Sequence, residues 1–194
     1  MHRTWFSHDN TGMRKEEYRD VDKLFGYHSV QIEMNPSVYI ETSVIGYPTP
    51  WPREDPTVAG HQNTTKLCWS IARDRFELFV SRLVVRECSD GDPNAVKDRI
   101  KSIDGIPVLL ITPDAESLAN ALIQGRAVPE SEPNDVLHIA LATTHGVRYL
   151  VSWNFRHIVN ASLRSLIERI YHNAGYKSRL LYTPEELLEV TDDR

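Results

Sequence analysis

The sequence predicts an α/β fold, a three-layer α/β/α sandwich around a four- to five-stranded parallel sheet. Two observations predict it. From Ser37 onward, short β-branched runs alternate with stretches of helical period, and such alternation implies parallel strands joined by crossover helices that cover both faces of the sheet. Hydrophobic residues make up 41% and charged residues 25% of the 194 positions, the balance of a chain able to bury a sizeable core.

The first 35 residues stand apart. They are polar, mixed in charge and without a sustained period of 2 or 3.6, so residues 1–35 are expected to form a poorly ordered arm before a domain at 36–194. Met34 precedes the first strand-like run closely enough to be a second candidate start of translation.

Within the domain, "SVYI" at 37–40 reads as the first strand, and the Gly and prolines of "ETSVIGYPTPWP" as a loop. Val58, Thr65, Trp69 and Ala72 recur near helical spacing, predicting a long helix to about Arg73. "FELFV" at 76–80 is the second strand, after which Ser81 is placed to cap a short helix carrying Glu87 and Cys88. Asp92 as cap, Pro93 at the first helical position and Gly105 as terminator bracket the next helix. "IPVLLI" at 106–111 is the third strand, and Thr112 with Pro113 opens a helix whose face is Ala115, Leu118, Ala119 and Leu122, closed by Gly125. The helix in "SEPNDVLHIALATTHG" is apolar around most of its axis and therefore buried; Ser131 is its expected cap and Gly146 its stop. "RYLVS" at 148–152 is the fourth strand. A helix through Leu163, Leu166, Ile167 and Ile170 ends at Gly175, "RLLY" at 179–182 is a fifth strand, and "TPEELLEV" closes the chain with a Thr183–Glu186 capping box.

Several function classes are excluded or narrowed by composition. Lys and Arg number 22 against 27 Asp and Glu, a formal charge of −5, which is not the profile of a nucleic-acid coat held by cations on phosphates. Cys68 and Cys88 are the two cysteines, too few for a disulfide scaffold and without zinc spacing, and both are expected as reduced core residues. No apolar run approaches the roughly 18–20 residues that span a bilayer, and "MHRTWFSHDN" has no apolar leader core. The expectation is a cytoplasmic protein.

In parallel sheets, ligands bind beyond the carboxyl ends of the strands. Glu41 follows the first strand, Glu87 lies on the helix after the second, Asp135 is in the first turn of the buried helix before the fourth, and Asn154 follows the fourth. Three carboxylates and one amide from distant segments are therefore expected to meet at one edge. Such a set suits Mg²⁺ or Mn²⁺, which favour oxygen ligands, and a metal so held can activate water against a phosphodiester.

Four fragments in order, "VYIETSVIGY", "FVSRLVVREC", "NDVLHIALA" and "YLVSWNFRHI", resemble the PIN domain family, and in particular the VapC-like toxins of type II toxin–antitoxin systems. The resemblance runs over roughly residues 37 to 190. It implies a PIN-like domain with metal-dependent endoribonuclease activity on RNA, a cognate antitoxin as partner and a homodimer. It places the family's metal-site acids on Glu41, Glu87, Asp135 and Asn154. Glu41 stands where the family has a shorter Asp, and Asn154 replaces an Asp, removing a negative charge and weakening attraction to a cation. Two rivals follow from those departures and from the sheet: a non-cleaving PIN-fold protein that binds RNA or a partner, and a metal-dependent phosphatase or nucleotidase.

Other residues divide between chemistry and structure. The resemblance makes His138 structural, although it lies three residues from Asp135. Trp51, Trp69 and Trp153 are able to stack on bases, but core or loop packing is the simpler expectation. An acidic protein repels RNA, and the candidate counterweights are Arg156 and His157 after Asn154, with Arg53 and Lys66 near the mouth; Arg82 and Arg86 flank Glu87.

Overall fold

The computed structural model describes residues 35–46 and 55–190. The chain divides into two units, and the described residues all fall in the second, Asn35–Arg194. The arm expected at residues 1–35 lies, but for Asn35, outside the described residues, as do Met34, Trp51 and Arg53.

Five parallel strands form one sheet: β1 (Ser37–Ile40), β2 (Glu77–Ser81), β3 (Val108–Leu109), β4 (Tyr149–Val151) and β5 (Leu180–Tyr182), in the order β3-β2-β1-β4-β5. Register aligns Tyr39 with Phe79 on one side and with Leu150 on the other. The central strands β1 and β4 are buried almost throughout, as expected for strands covered on both faces.

Eight helices occur among the described residues: α1 (Thr42–Gly46), α2 (Pro56–Arg75), α3 (Arg82–Cys88), α4 (Pro93–Ser102), α5 (Pro113–Gln124), α6 (Pro133–Thr144), α7 (Arg164–Asn173) and α8 (Pro184–Leu188). Right-handed crossovers from β1 to β2 to β3 put α1 to α4 on one face, and the reverse direction from β3 to β4 to β5 puts α5 to α7 on the other. The packing agrees: α5 lies against α6 and α7, and α8 returns to pack on α2. The result is the three-layer α/β/α sandwich.

Most helix starts follow the expected chemistry. Asp92, Thr112 and Ser81 each accept from a backbone N–H in the first turn of the helix they precede, and Thr183 forms its capping box with Glu186. Ala115, Leu118, Ala119 and Leu122 are the buried face of α5. Cys68 and Cys88 are buried and free, and burial pushes both thiols up to about 11.

Three elements differ from expectation. The segment after β1 begins with the helical turn α1 rather than loop, because the Glu41 carbonyl accepts from Val44 N–H and its side chain accepts from Ser43 N–H; five residues are too few to show a period. Strand β3 is two residues long instead of six, since β2 ends at Ser81, which pairs with Leu109. Beyond that point β2 has turned into α3, and Leu110 has no strand to pair with. Helix α6 is preceded by Glu132 without a side-chain cap, not by Ser131; Pro133, with its fixed φ and no N–H to satisfy, starts the helix instead.

Candidate metal centre

The strand order reverses direction between β1 and β4, and the crevice at that switch point is where an open α/β sheet offers a site. Glu41 leaves β1 here. Its N–H donates to Val151 O over 3.1 Å, extending the β1–β4 ladder by one bond, so the position of its Cα is set by the sheet. The side chain is 8% exposed. Ser152 Oγ donates to its Oε2 over 2.7 Å, Ser43 Oγ donates to the same oxygen, and Ser43 N–H donates to Oε1 over 3.1 Å. Buried carboxylate oxygens need such donors in place of the water they have lost.

Glu87 arrives from the other side of β1. Strand β2 ends in Ser81, whose Oγ accepts from Val84 N–H and so starts α3 at a fixed angle. Glu87 lies on the last turn of that helix. Asn134 Nδ2 donates to Oε1 over 2.7 Å, Thr42 Oγ1 donates to Oε2, and His138 Nε2 stands 3.0 Å from Oε2. Partial burial opposes ionisation of this carboxyl, but the His138 hydrogen bond and charge, with the bonds from Thr42 and Asn134, outweigh it and hold the pKa below the ordinary 4.5.

His138 was expected to be structural, and the structure gives it a more specific place. The ring is 1% exposed, with Nε2 3.0 Å from Glu87 and 3.8 Å from Glu41 Oε1. An ionised Glu87 only accepts, so Nε2 is the donor, and Nδ1 on the other side of the ring lies 2.7 Å from Tyr39 OH. Tyr39 OH in turn lies 2.8 Å from Ser81 Oγ. Burial, opposed in part by the Ser81 bond and reinforced by the charges of Glu41 and Glu87, holds the Tyr39 phenol well above its usual range. The phenol stays neutral and keeps a proton to donate.

Asp135 and Asn154 form a second group. Asn154 Nδ2 donates to Asp135 Oδ2 over 2.9 Å, and His157 Nδ1 lies 2.8 Å from the same oxygen. Asn154 Oδ1 accepts from His157 N–H over 3.0 Å, and Asn154 N–H donates to Ser152 Oγ over 2.9 Å. Ser152 therefore joins the two groups, bonding Glu41 on one side and Asn154 on the other.

Among the described residues two sets of side chains bring ligand atoms within 4.8 Å of one another: Glu41, Glu87 and His138, and separately Glu132, Asp135 and His157. The first suits a divalent ion that takes two carboxylates and one imidazole, a mixture that leans toward Mn²⁺ over Mg²⁺. The donor set fits a metal once the Nε2 proton has left, the lone pair it frees being the one that ligates. Asp135 Oδ1 has no hydrogen-bond partner among the described residues and is open to a ligand.

The sequence reading makes His138 structural and leaves Asn134 and Ser152 unassigned. Asn134 and His138 are four apart on one helix and so share a side, which was the available signal. Tyr39 and Ser152 carried none, because only strand pairing brings them in. Trp153, a candidate base stacker, is buried; its Nε1 donates to Thr65 over 2.9 Å and its ring stacks on His61 at 4.0 Å, a packing role. Arg156 is exposed.

Neither a family model nor a curated protein matches the chain. One solved structure that does is the crystal structure of VapBC2 from Rickettsia felis bound to a DNA fragment from their promoter. A chain of it superposes with a TM-score of 0.51 at 11% identity, over 76% of this chain and 98% of that one. At that identity the likeness is one of fold.

Proposed function

We propose that the chain is a Mg²⁺- or Mn²⁺-dependent endoribonuclease of the PIN type and the toxin of a toxin–antitoxin pair. The observation that carries the reading is the convergence of Glu41 and Glu87 at the sheet's switch point, on a fold shared with a VapBC2 chain. The ion would be held by Glu41 and Glu87, with Asp135 and Asn154 beside them. Bound there, it supplies Lewis acidity toward a phosphate and a more acidic water.

The chain's own residues do the rest. Ser43 and Ser152 aim the Glu41 carboxylate; Thr42, Asn134 and His138 aim that of Glu87 and hold it ionised. Asn154 and His157 fix the rotamer of Asp135 while leaving Oδ1 open. Arg156 and His157 meet the RNA, whose charge the acidic site would otherwise repel. An antitoxin partner, a homodimer and a cytoplasmic setting belong to the same proposal; among the described residues no helix is long and apolar enough to cross a membrane.

One observation favours a second reading, a PIN-fold protein that binds RNA or a partner without cleaving. His138 Nε2 already bridges Glu41 and Glu87, and Asn154 carries no charge where the family has an acid. Calorimetric titration with Mn²⁺ and cleavage of a labelled RNA pool separate the readings. Wild type is expected to bind Mn²⁺ and cleave, and Asp135→Asn to keep the fold but lose both. Absence of both Mn²⁺ binding and cleavage favours the second reading; hydrolysis of mononucleotides but not RNA would replace the nuclease with a phosphatase or nucleotidase. Equal cleavage by wild type and Asp135→Asn assigns the nuclease to a contaminant.

A further inference from the structure

Five arginines among the described residues have hydrogen-bonded guanidinium groups. Arg73, Arg75 and Arg99 donate to backbone carbonyls, Arg86 to Asn134, and Arg164 to Leu181 O and Glu186. Among the arginines without such a bond, Arg126 and Arg156 lie together. Both are exposed, and neither side chain has a hydrogen bond or ion pair among the described residues. Both line one open cleft of about 740 Å³, whose wall also includes Ile123, Leu163, Glu130 and His157. That volume lies within the roughly 300–1,000 Å³ of ligand-holding clefts.

One shared residue ties the cleft to the centre described above. His157 belongs to both, lining the cleft while its Nδ1 stands 2.8 Å from Asp135 Oδ2. Arg126 holds a left-handed backbone, φ 59°, a conformation that costs a side-chain-bearing residue about 1 kcal/mol and that glycine adopts freely. Its backbone N–H donates to Ile123 O over 2.9 Å, and its side chain has no hydrogen bond or ion pair among the described residues. In a chain of net charge −5, two unengaged arginines against Glu130 make the cleft locally positive. Guanidinium is the side chain best matched to phosphate oxygens, and Ile123 and Leu163 offer an apolar wall to sugars and bases.

We infer that this cleft seats the single RNA strand running away from the metal centre, with its phosphates on Arg126 and Arg156. The inference rests on the nuclease reading for the identity of the strand, and it adds Arg126 to the substrate-binding residues. A strand laid here enters the centre past His157, which explains why an acidic protein can hold RNA against carboxylates.

The test is fluorescence anisotropy of the full-length protein with a short, uncleavable 2′-O-methyl oligoribonucleotide in EDTA, over a range of salt. Arg126→Gly and Arg156→Gln are each expected to weaken binding about tenfold, the order of one charge-assisted contact. Each should lower the slope of log affinity against log salt by about 0.7, one phosphate on a single strand. Arg126→Gly should do so without lowering the Tm, which separates loss of a contact from loss of the fold. Affinity and salt slope unchanged in both variants overturn the inference, as does absence of wild-type binding at low salt. If wild type cleaves RNA with Mn²⁺ and both variants bind and cleave like it, the cleft inference alone fails. If the oligonucleotide binds through the two arginines but no RNA is cleaved, the cleft stands and the nuclease reading fails.

Discussion

Asn154 donates from Nδ2 to Asp135 Oδ2 over 2.9 Å, and that bond determines what an acid there would do. In Asn154→Asp the donor becomes a second carboxylate, and two like charges at hydrogen-bond distance cannot both stay ionised without a cation between them. The metal-free variant should therefore lose about 1–3 kcal/mol of stability, while its affinity for Mn²⁺ rises about tenfold through the added charge. Thermal melts with and without Mn²⁺ check both halves; a variant as stable as wild type in EDTA would show that the bond carries no weight. Glu87 makes a different prediction. Its folded pKa lies below the ordinary 4.5, so the unfolded chain binds the proton more readily. The stability this contributes is complete above about pH 4.5 and is lost as pH falls through the folded value. In Glu87→Gln that part of the acid limb should vanish, and denaturant melts between pH 3 and 6 (roughly the carboxylate range) should show a flatter profile than wild type.

Helix α3 is the element on which the centre depends most. It is seven residues long, too short to persist on propensity alone, and its start is fixed by Ser81 Oγ accepting from Val84 N–H over 3.2 Å while also meeting Tyr39 OH at 2.8 Å. Ser81→Ala removes the cap and one partner of a buried phenol. A loss of about 1–3 kcal/mol is expected, together with weaker Mn²⁺ binding, because Glu87 rides on the last turn. Denaturant melts and a metal titration on the same variant test this; weaker metal binding is the part that an ordinary helix cap would not produce. Local chemistry of this kind was legible in advance. Asp92, Thr112, Ser81 and Thr183 were readable as caps because capping needs one polar side chain next to its own helix. The length of β3 was not, since it depends on where the neighbouring strand stops.

For the whole molecule, the sheet and both helical layers close around a core that runs from Val38 to Leu187. Asn35 Nδ2 donates to Asp74 O over 3.1 Å at its edge. Residues 1–33 present no amphipathic period in sequence, so a chain beginning at Met34 should unfold cooperatively and melt within a few degrees of the full-length protein. A broad transition, or a drop well beyond that, in calorimetry of the shortened chain would show that the arm contributes to the fold.

The sequence by itself determined the α/β class, the alternation of elements, most of the helix starts and the four polar positions near the strand ends, because each follows from period or from neighbours within a few residues. How those positions combine was decided by the tertiary structure. Parallel pairing of β1 with β4 places Ser152 beside Glu41, and the packing of α6 across the sheet brings His138 to Glu87 and Asp135 to Asn154. Pairings separated by 111, 51 and 19 residues leave no mark on local composition. They are set by strand register and by the angle at which a helix crosses the sheet, which only the packed core fixes.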